Sequence, residues 1–183
     1  VGNLTVGGSG KTPLVIHLVQ LLARAGFTPG IVSRGYRAKV SEAPCLVKEG
    51  VDPTLVGDEP LLAHQQTGCP VVIDQNRVRG ARHLKRQCGV DIVISDDGLQ
   101  HLRMSRAVEI AVIDGERRFG NGYLLPAGPL RESLRRLETV DFIVTNGGQA
   151  LPGEHQMHTI IDEAVHLTTG ERRSLAKFTD KKI

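Results

Sequence analysis

Aromatic side chains are nearly missing from this chain of 183 residues: there is no Trp, and Phe and Tyr together reach 3%. That scarcity excludes a stacking platform for single-stranded nucleic acid, which needs successive aromatic faces, and nucleic acid is not expected as a partner. Charge of one sign is also missing. Twenty-three Lys and Arg against 20 Asp and Glu leave +3, too mild a balance to name a partner. Cysteine is sparse, and Cys45, Cys69 and Cys88 form an odd set without paired spacing, which reads as reduced thiols in a reducing compartment. No apolar run reaches the roughly 18 residues of a membrane span, and no signal peptide is visible. An initiating Met is absent as well. The sequence opens at Val1 inside a motif and closes on "TGERRSLAKFTDKKI" without a capped element, so the expectation is a chain truncated at both ends.

What is present is an alternation of short Val/Ile-rich runs with helical stretches, the pattern of parallel βαβ units. Strands are predicted at 30–33, 71–74, 91–95, 108–114 and 141–146. "VDIVIS" and "VEIAVID" are almost continuously apolar, as strands covered on both faces should be. The clearest helix is 11–25, with apolar residues at 14, 15, 18, 21, 22 and 25 and Gly26 as its stop. Further helices are expected from Pro60 to about Gln66 and from about Asn76 to Gln87, and a weak strand around 157–161. The fold class predicted is α/β, a three-layer P-loop NTPase fold with a mainly parallel sheet flanked by helices. Residues 1–150 form the predicted core domain, and 151–183 the start of a carboxyl-terminal part.

"TVGGSGKTP" carries the first chemistry. Gly10, Lys11 and Thr12 supply the second half of the G-x-x-x-x-G-K-[ST] phosphate loop, with Thr5 in place of its first glycine. Gly7, Gly8 and Gly10, with Val6 and Ser9 between and before them, permit a nest of backbone N–H donors, and the following helix points its positive end at the phosphates. Lys11 is expected on the β/γ-phosphates and Thr12 on Mg²⁺. The plainer alternative is a glycine-rich turn before an ordinary helix.

"VDIVISDDGLQH" ends an apolar strand on Asp96 and Asp97. A carboxylate at the carboxyl edge of a neighbouring strand is where Mg²⁺ is met, although Asp and Gly also favour simple turns. His101 is either a neighbour behind that metal or an ordinary structural histidine. In "VGDEPLLAHQ", Asp58 is a candidate N-cap for the helix containing Pro60 and a candidate general base for an acceptor hydroxyl. "NRVRGARHLKR" sets five basic residues on one helix, mostly a solvated face, with Arg77 placed to reach the site. "VIDGERRFGNGYLLPAGPLRE" is too long and too rich in Gly and Pro to be a mere connector. Its Arg131–Glu132 pair is expected before a helix, as a phosphate clamp or a local ion pair.

These stretches, together with "VSRGYRAK", "NRVRGA" and "DFIVTNGG", occur in one order over residues 1–148. In that order they resemble the tetraacyldisaccharide 4′-kinase family, the lipid A 4′-kinases of Gram-negative bacteria. Threonine in place of the first glycine is the form of the phosphate loop found in that family. The resemblance implies a P-loop kinase that uses ATP and Mg²⁺ to phosphorylate the 4′-hydroxyl of an acylated glucosamine disaccharide lipid. Asp58 would then be the catalytic base, with Lys11 and Asp97 also catalytic. Asp96 and Asp97 would join Thr12 in the metal cluster, and Arg77, Arg131 and Glu132 would line the site.

The resemblance further implies a place on the cytoplasmic face of the inner membrane, seated by an amino-terminal hydrophobic segment that the sequence lacks. A carboxyl-terminal part with an assisting histidine is expected to be missing too, leaving the fragment a weak ATP binder without transfer activity. A nucleotide-driven switch or metallochaperone-type NTPase is the competing reading. "TNGG" falls where such proteins read guanine, but without the lysine and aspartate that guanine needs.

Overall fold

The computed structural model describes the chain apart from residues 36–37, 40–42, 161–162, 167–168 and 179–183. Tyr36 and Arg37 of the "VSRGYRAK" stretch and the end of the tail lie outside the described residues.

Continuous Val/Ile runs become strands wherever both faces can be covered. β1 (Pro29–Ser33) is buried at all five positions. It lies between β3 (Val71–Ile73) and β4 (Ile92–Ser95), parallel to both. β2 (Cys45–Leu46) adds antiparallel to β3 and closes that edge. The period of two along β1 sends neighbouring side chains to opposite layers. Ile31 packs with Val15 and Val19 of α1 (Lys11–Arg24) and with Leu61 and Ala63 of α3 (Asp58–Thr67). Val32 instead packs with Val72 and with Leu84 of α4 (Arg77–Gln87). Helices therefore cover both faces, each buried Val or Leu contributing roughly 1.5–3 kcal/mol.

A second parallel sheet runs β5 (Ile110–Asp114), β6 (Phe142–Asn146) and β7 (His155–Met157). Residues 1–4 lie between the two sheets. Val1 receives a hydrogen bond from Gly98 N at 2.9 Å and donates its own nitrogen to Ser95 O at 3.0 Å. On the other side Gly2 N donates to Ile110 O and Gly2 O accepts from Val112 N, at 3.0 and 2.8 Å. The segment leading into the phosphate loop thus runs in the middle of the assembled strands, where a parallel α/β sheet places it. α1 spans the same junction: Val15 and Val19 pack on the first sheet, while Leu14 packs with Val112 and Val144 of the second.

Several elements depart from expectation. The helix predicted from Pro60 begins two residues earlier, because a one-turn helix α2 (Pro53–Val56) precedes it and Gly57 links the two at φ 87°. The third helix begins at Arg77, with the Asn76 side chain accepting from Arg79 N as its cap. The weak strand expected at 157–161 is β7, ending at Met157, and polar strands β8 (Glu163–Val165) and β9 (Arg172–Ser174) form a hairpin beyond it. No helix among the described residues is long and apolar enough to cross a membrane.

Candidate active site

Residues 5–10 turn from the central segment into α1, and Gly10 caps that helix in the left-handed region at φ 86°. A Cβ on Gly10 would stand 2.2 Å from the Asn146 amide nitrogen and force that side chain to move, and the left-handed backbone itself favours glycine. The loop's carbonyls are turned outward and taken by side chains. Asn3 Nδ2 donates to Gly7 O at 3.3 Å, Arg117 to Gly8 O, and Asn146 Nδ2 to Ser9 O at 3.4 Å. Its N–H groups are left over: among the described residues, those of Gly7 through Thr12 meet no acceptor. Free donors converging on a helix N-terminus make an anion nest. The segment 129–131 braces the outer edge, with Val6 N donating to Pro129 O at 2.9 Å and Arg131 N to Leu4 O at 2.6 Å.

Beside the nest, β4 runs out into Asp96 and Asp97. The carboxylate of Asp97 accepts from Arg131 Nη1 at 3.0 Å and lies 3.5 Å from Lys11 Nζ. Its backbone is held at φ 49°, a conformation that Asp tolerates better than most residues. Burial raises the cost of its charge, but Lys11 and Arg131 outweigh that and hold the carboxyl below its ordinary range. Asp96 is different. Its side chain is buried, Oδ1 has no hydrogen-bond partner, and burial followed by the nearby Glu59 pushes its carboxyl upward. A desolvated carboxylate among other acids is costly unless a cation is supplied.

The predicted residues divide into groups. Lys11, Asp96, Asp97 and Arg131 are brought together. Glu132 is one step removed: Gln100 Nε2 donates to its Oε1 at 2.7 Å, and Arg131 Nη1 donates to Gln100 Oε1 at 3.4 Å. The local ion pair weighed as the alternative for this stretch is present, but between Glu132 and Arg136 at 3.6 Å rather than within the Arg131–Glu132 pair. The helix following that pair is a 3₁₀ turn (Leu134–Thr139). Arg77 is buried and spends its guanidinium on backbone carbonyls, Nη2 on Asp96 O at 3.1 Å and Nη1 on Asp74 O at 3.2 Å. It steadies the acidic turn from behind. Thr12 is half-buried, and its hydroxyl has no partner among the described residues.

Asp58 is not the N-cap. Gly57 occupies that position without a side-chain bond, and Asp58 opens the first turn of α3, exposed. The adjacent Glu59 acts electrostatically on Asp96, so this turn borders the acidic centre. His101 is held away from its charged form by burial and by Arg77, Arg103, Arg106 and Arg34, and its Nε2 is unpartnered. Sequence reasoning gave no role to Asn3, Glu59, Gln100, Arg117 or Asn146. Glu59, Gln100, Arg117 and Asn146 stood within quoted motifs, but the partners that matter here lie far along the chain.

A glycine-lined nest of free N–H groups, a lysine at its rim and two acids on the adjoining strand end, set on parallel strands flanked by helices, define the P-loop NTPase fold class. The family model described as Tetraacyldisaccharide-1-P 4'-kinase matches residues 1–182. The chain belongs to that family. It is 50% identical over 181 residues to the tetraacyldisaccharide 4′-kinase of Ruthia magnifica subsp. Calyptogena magnifica, covering 99% of this chain and 57% of that protein. With the enzyme of the same name from Tolumonas auensis the identity is 53% over 157 residues, 86% of this chain and 48% of that one. The crystal structure of LpxK from Aquifex aeolicus in complex with ATP superposes with a TM-score of 0.79 at 28% identity, over 100% of this chain and 60% of that one. The chain spans about half the length of the curated relatives it matches.

Proposed function

We propose that this chain carries the nucleotide-handling part of a kinase that moves the γ-phosphoryl group of ATP to the 4′-hydroxyl of a tetraacylated glucosamine disaccharide 1-phosphate, in lipid A biosynthesis. The observation that carries the reading is the convergence of Lys11, Arg131 and Asp97 beside an unpaired N–H nest, in a chain of this family. The free N–H groups of residues 7–12 take phosphate oxygens, and Lys11, held in place by Asp97, neutralises charge between the β- and γ-phosphates. Arg131 adds a second cation where negative charge gathers as the phosphoryl group leaves.

Asp58 accepts the proton of the acceptor hydroxyl. The hydroxyl oxygen forms the new bond to the γ-phosphorus, the bond from that phosphorus to the β-bridging oxygen breaks, and ADP leaves with that electron pair. An exposed carboxylate on the first turn of α3 is open to a bulky lipid acceptor. Arg77 and Gln100 hold the acidic turn and Arg131 in register.

The donors present suit Mg²⁺. Asp96 offers a buried oxygen without a partner, Thr12 a free hydroxyl, and Asp97 and Glu59 deepen the negative potential there. Among the described residues no three His, Cys, Asp or Glu side chains gather as a ready cage. Mg²⁺ is typically held by only one or two carboxylates plus substrate phosphates. Asp96 and Thr12 would hold the ion, which would supply positive charge against the phosphates as the phosphoryl group is transferred. A lipid acceptor that must meet ATP supports a location at the cytoplasmic face of the inner membrane.

The test is transfer of label from γ-labelled ATP to the disaccharide 1-phosphate lipid, run with this chain and with the full-length product of its gene. Transfer by the full-length product that is lost in Asp97→Asn supports the reading. Nucleotide hydrolysis without any lipid product, or GTP outcompeting ATP, would overturn it in favour of a nucleotide-driven switch.

A further inference from the structure

α4 carries Arg77, Arg79, Arg82, His83, Lys85 and Arg86 within 11 residues and no acid. Arg77 is buried under the acidic turn, but the rest of the helix faces elsewhere. Its outer side and Pro44 border an open, shallow cleft of about 470 Å³, lined by Asn76, Arg79, Arg82, His83, Arg86 and Gln87. That volume lies in the range of small-molecule sites, roughly 300–1,000 Å³.

The charges in this cleft are unequal. Arg79 is oriented by Asp74, whose fully buried carboxylate accepts from Nε at 2.7 Å and Nη2 at 2.9 Å, so its charge is offset. Arg82 and Arg86, one helical turn apart, have no ion pair or hydrogen bond to a side chain among the described residues. Like charges at that spacing repel along one helix face and weaken the helix. The helix dipole compensates cations in the last turn, which accounts for Lys85 and Arg86 and leaves Arg82 unexplained. A concave wall that keeps two free guanidinium groups, a histidine and two amide side chains matches one ligand chemistry, a phosphate-bearing anion gripped by forked donors.

We propose that the cleft between α4 and Pro44 is a second anion site that binds a phosphate group, free in solution or on a phospholipid headgroup. The proposal rests on no part of the kinase reading. Inorganic pyrophosphate is titrated into the chain by calorimetry with Lys11→Ala as background, which mutes the phosphate loop. Vesicles of phosphatidylcholine with and without phosphatidylglycerol are cosedimented in parallel. Both are repeated with Arg82→Gln/Arg86→Gln added, and with Arg82→Lys, which keeps the charge and loses the fork.

Saturable pyrophosphate binding that weakens at least about tenfold in the double variant, and less in Arg82→Lys, identifies a free anion as ligand. Loss confined to the phosphatidylglycerol vesicles identifies a headgroup. Circular dichroism confirms that the double variant stays folded. No binding in either arm, or binding undiminished by the double substitution, refutes the site.

Discussion

Replacing Glu154 by Gln tests how the second sheet is fastened. The Glu154 carboxylate accepts from Arg118 Nη2 at 2.5 Å and Nη1 at 3.1 Å, from Thr145 Oγ1 at 2.6 Å and from Leu151 N at 2.9 Å. Its side chain is only 8% exposed, so solvent screens these bonds little. Arg118 first, then the Leu151 and Thr145 donors, overcome the cost of burial and bring the carboxyl from its ordinary 4.5 down to about 2. A shift of that size corresponds to roughly 3 kcal/mol. Because the folded value is depressed, the stabilisation is complete above pH 4.5 and is lost as pH falls toward about 2.

Urea denaturation of wild type and Glu154→Gln is therefore expected to differ by ~3 kcal/mol at pH 7, with less than half of that gap left at about pH 3. Taking the difference between the two proteins cancels the other carboxylates. A gap that does not change between those pH values would show that hydrogen-bond geometry, not charge, holds Glu154, and the reasoning would fail.

Three further outcomes follow from the site. In the full-length product of the gene, Lys11→Ala should abolish turnover and weaken ATP binding in calorimetry; wild-type activity in that variant would end the phosphate-loop reading. Asp58→Asn should lower the transfer rate by roughly 10²–10⁴ with ATP affinity unchanged. Because Gly57 caps α3, the melting temperature should hold too; a melted protein with its rate preserved would make Asp58 structural. Gly10→Ala should cost at least about 1–2 kcal/mol in urea, from the left-handed backbone alone. The clash with Asn146 should remove nucleotide binding as well, and a stable variant that still binds would contradict the geometry of the loop.

Where a residue's role follows from its own neighbours in sequence, it was legible. β1, β3, β4, β5 and β6 stand where Val and Ile run together, because strands covered on both faces need no polar alternation. β2, with two residues, and the polar β8 and β9 carry no such run and went unseen. Lys11 and the acids beside it were each marked by a local motif, the phosphate loop for Lys11 and the end of an apolar strand for Asp96 and Asp97. The Asn146 amide reaches Ser9 across 137 residues, and Gln100 reaches Asn3 O across 97. No local pattern encodes such contacts. Asp58 was misplaced for a different reason. Pro60 suggested a first helical turn, but an extra turn before Gly57 moves the helix start onto Asp58 itself.

Residues 1–4 have a consequence for cooperativity. Among the described residues β4 and β5 share no ladder of their own, and Val1 and Gly2 lace one to the other before the chain enters the phosphate loop. The two sheet halves are thus mated by the segment whose next residues form the phosphate loop, as a clasp is held by its tongue. A ligand that fixes the loop fixes this lacing, and by reciprocity fastening the halves must tighten the ligand. Occupancy should then appear as slowed amide exchange at Gly2, Gly98 and Val112, whose N–H groups form the stitches. A kinase built this way would feel its nucleotide in the coherence of the whole sheet.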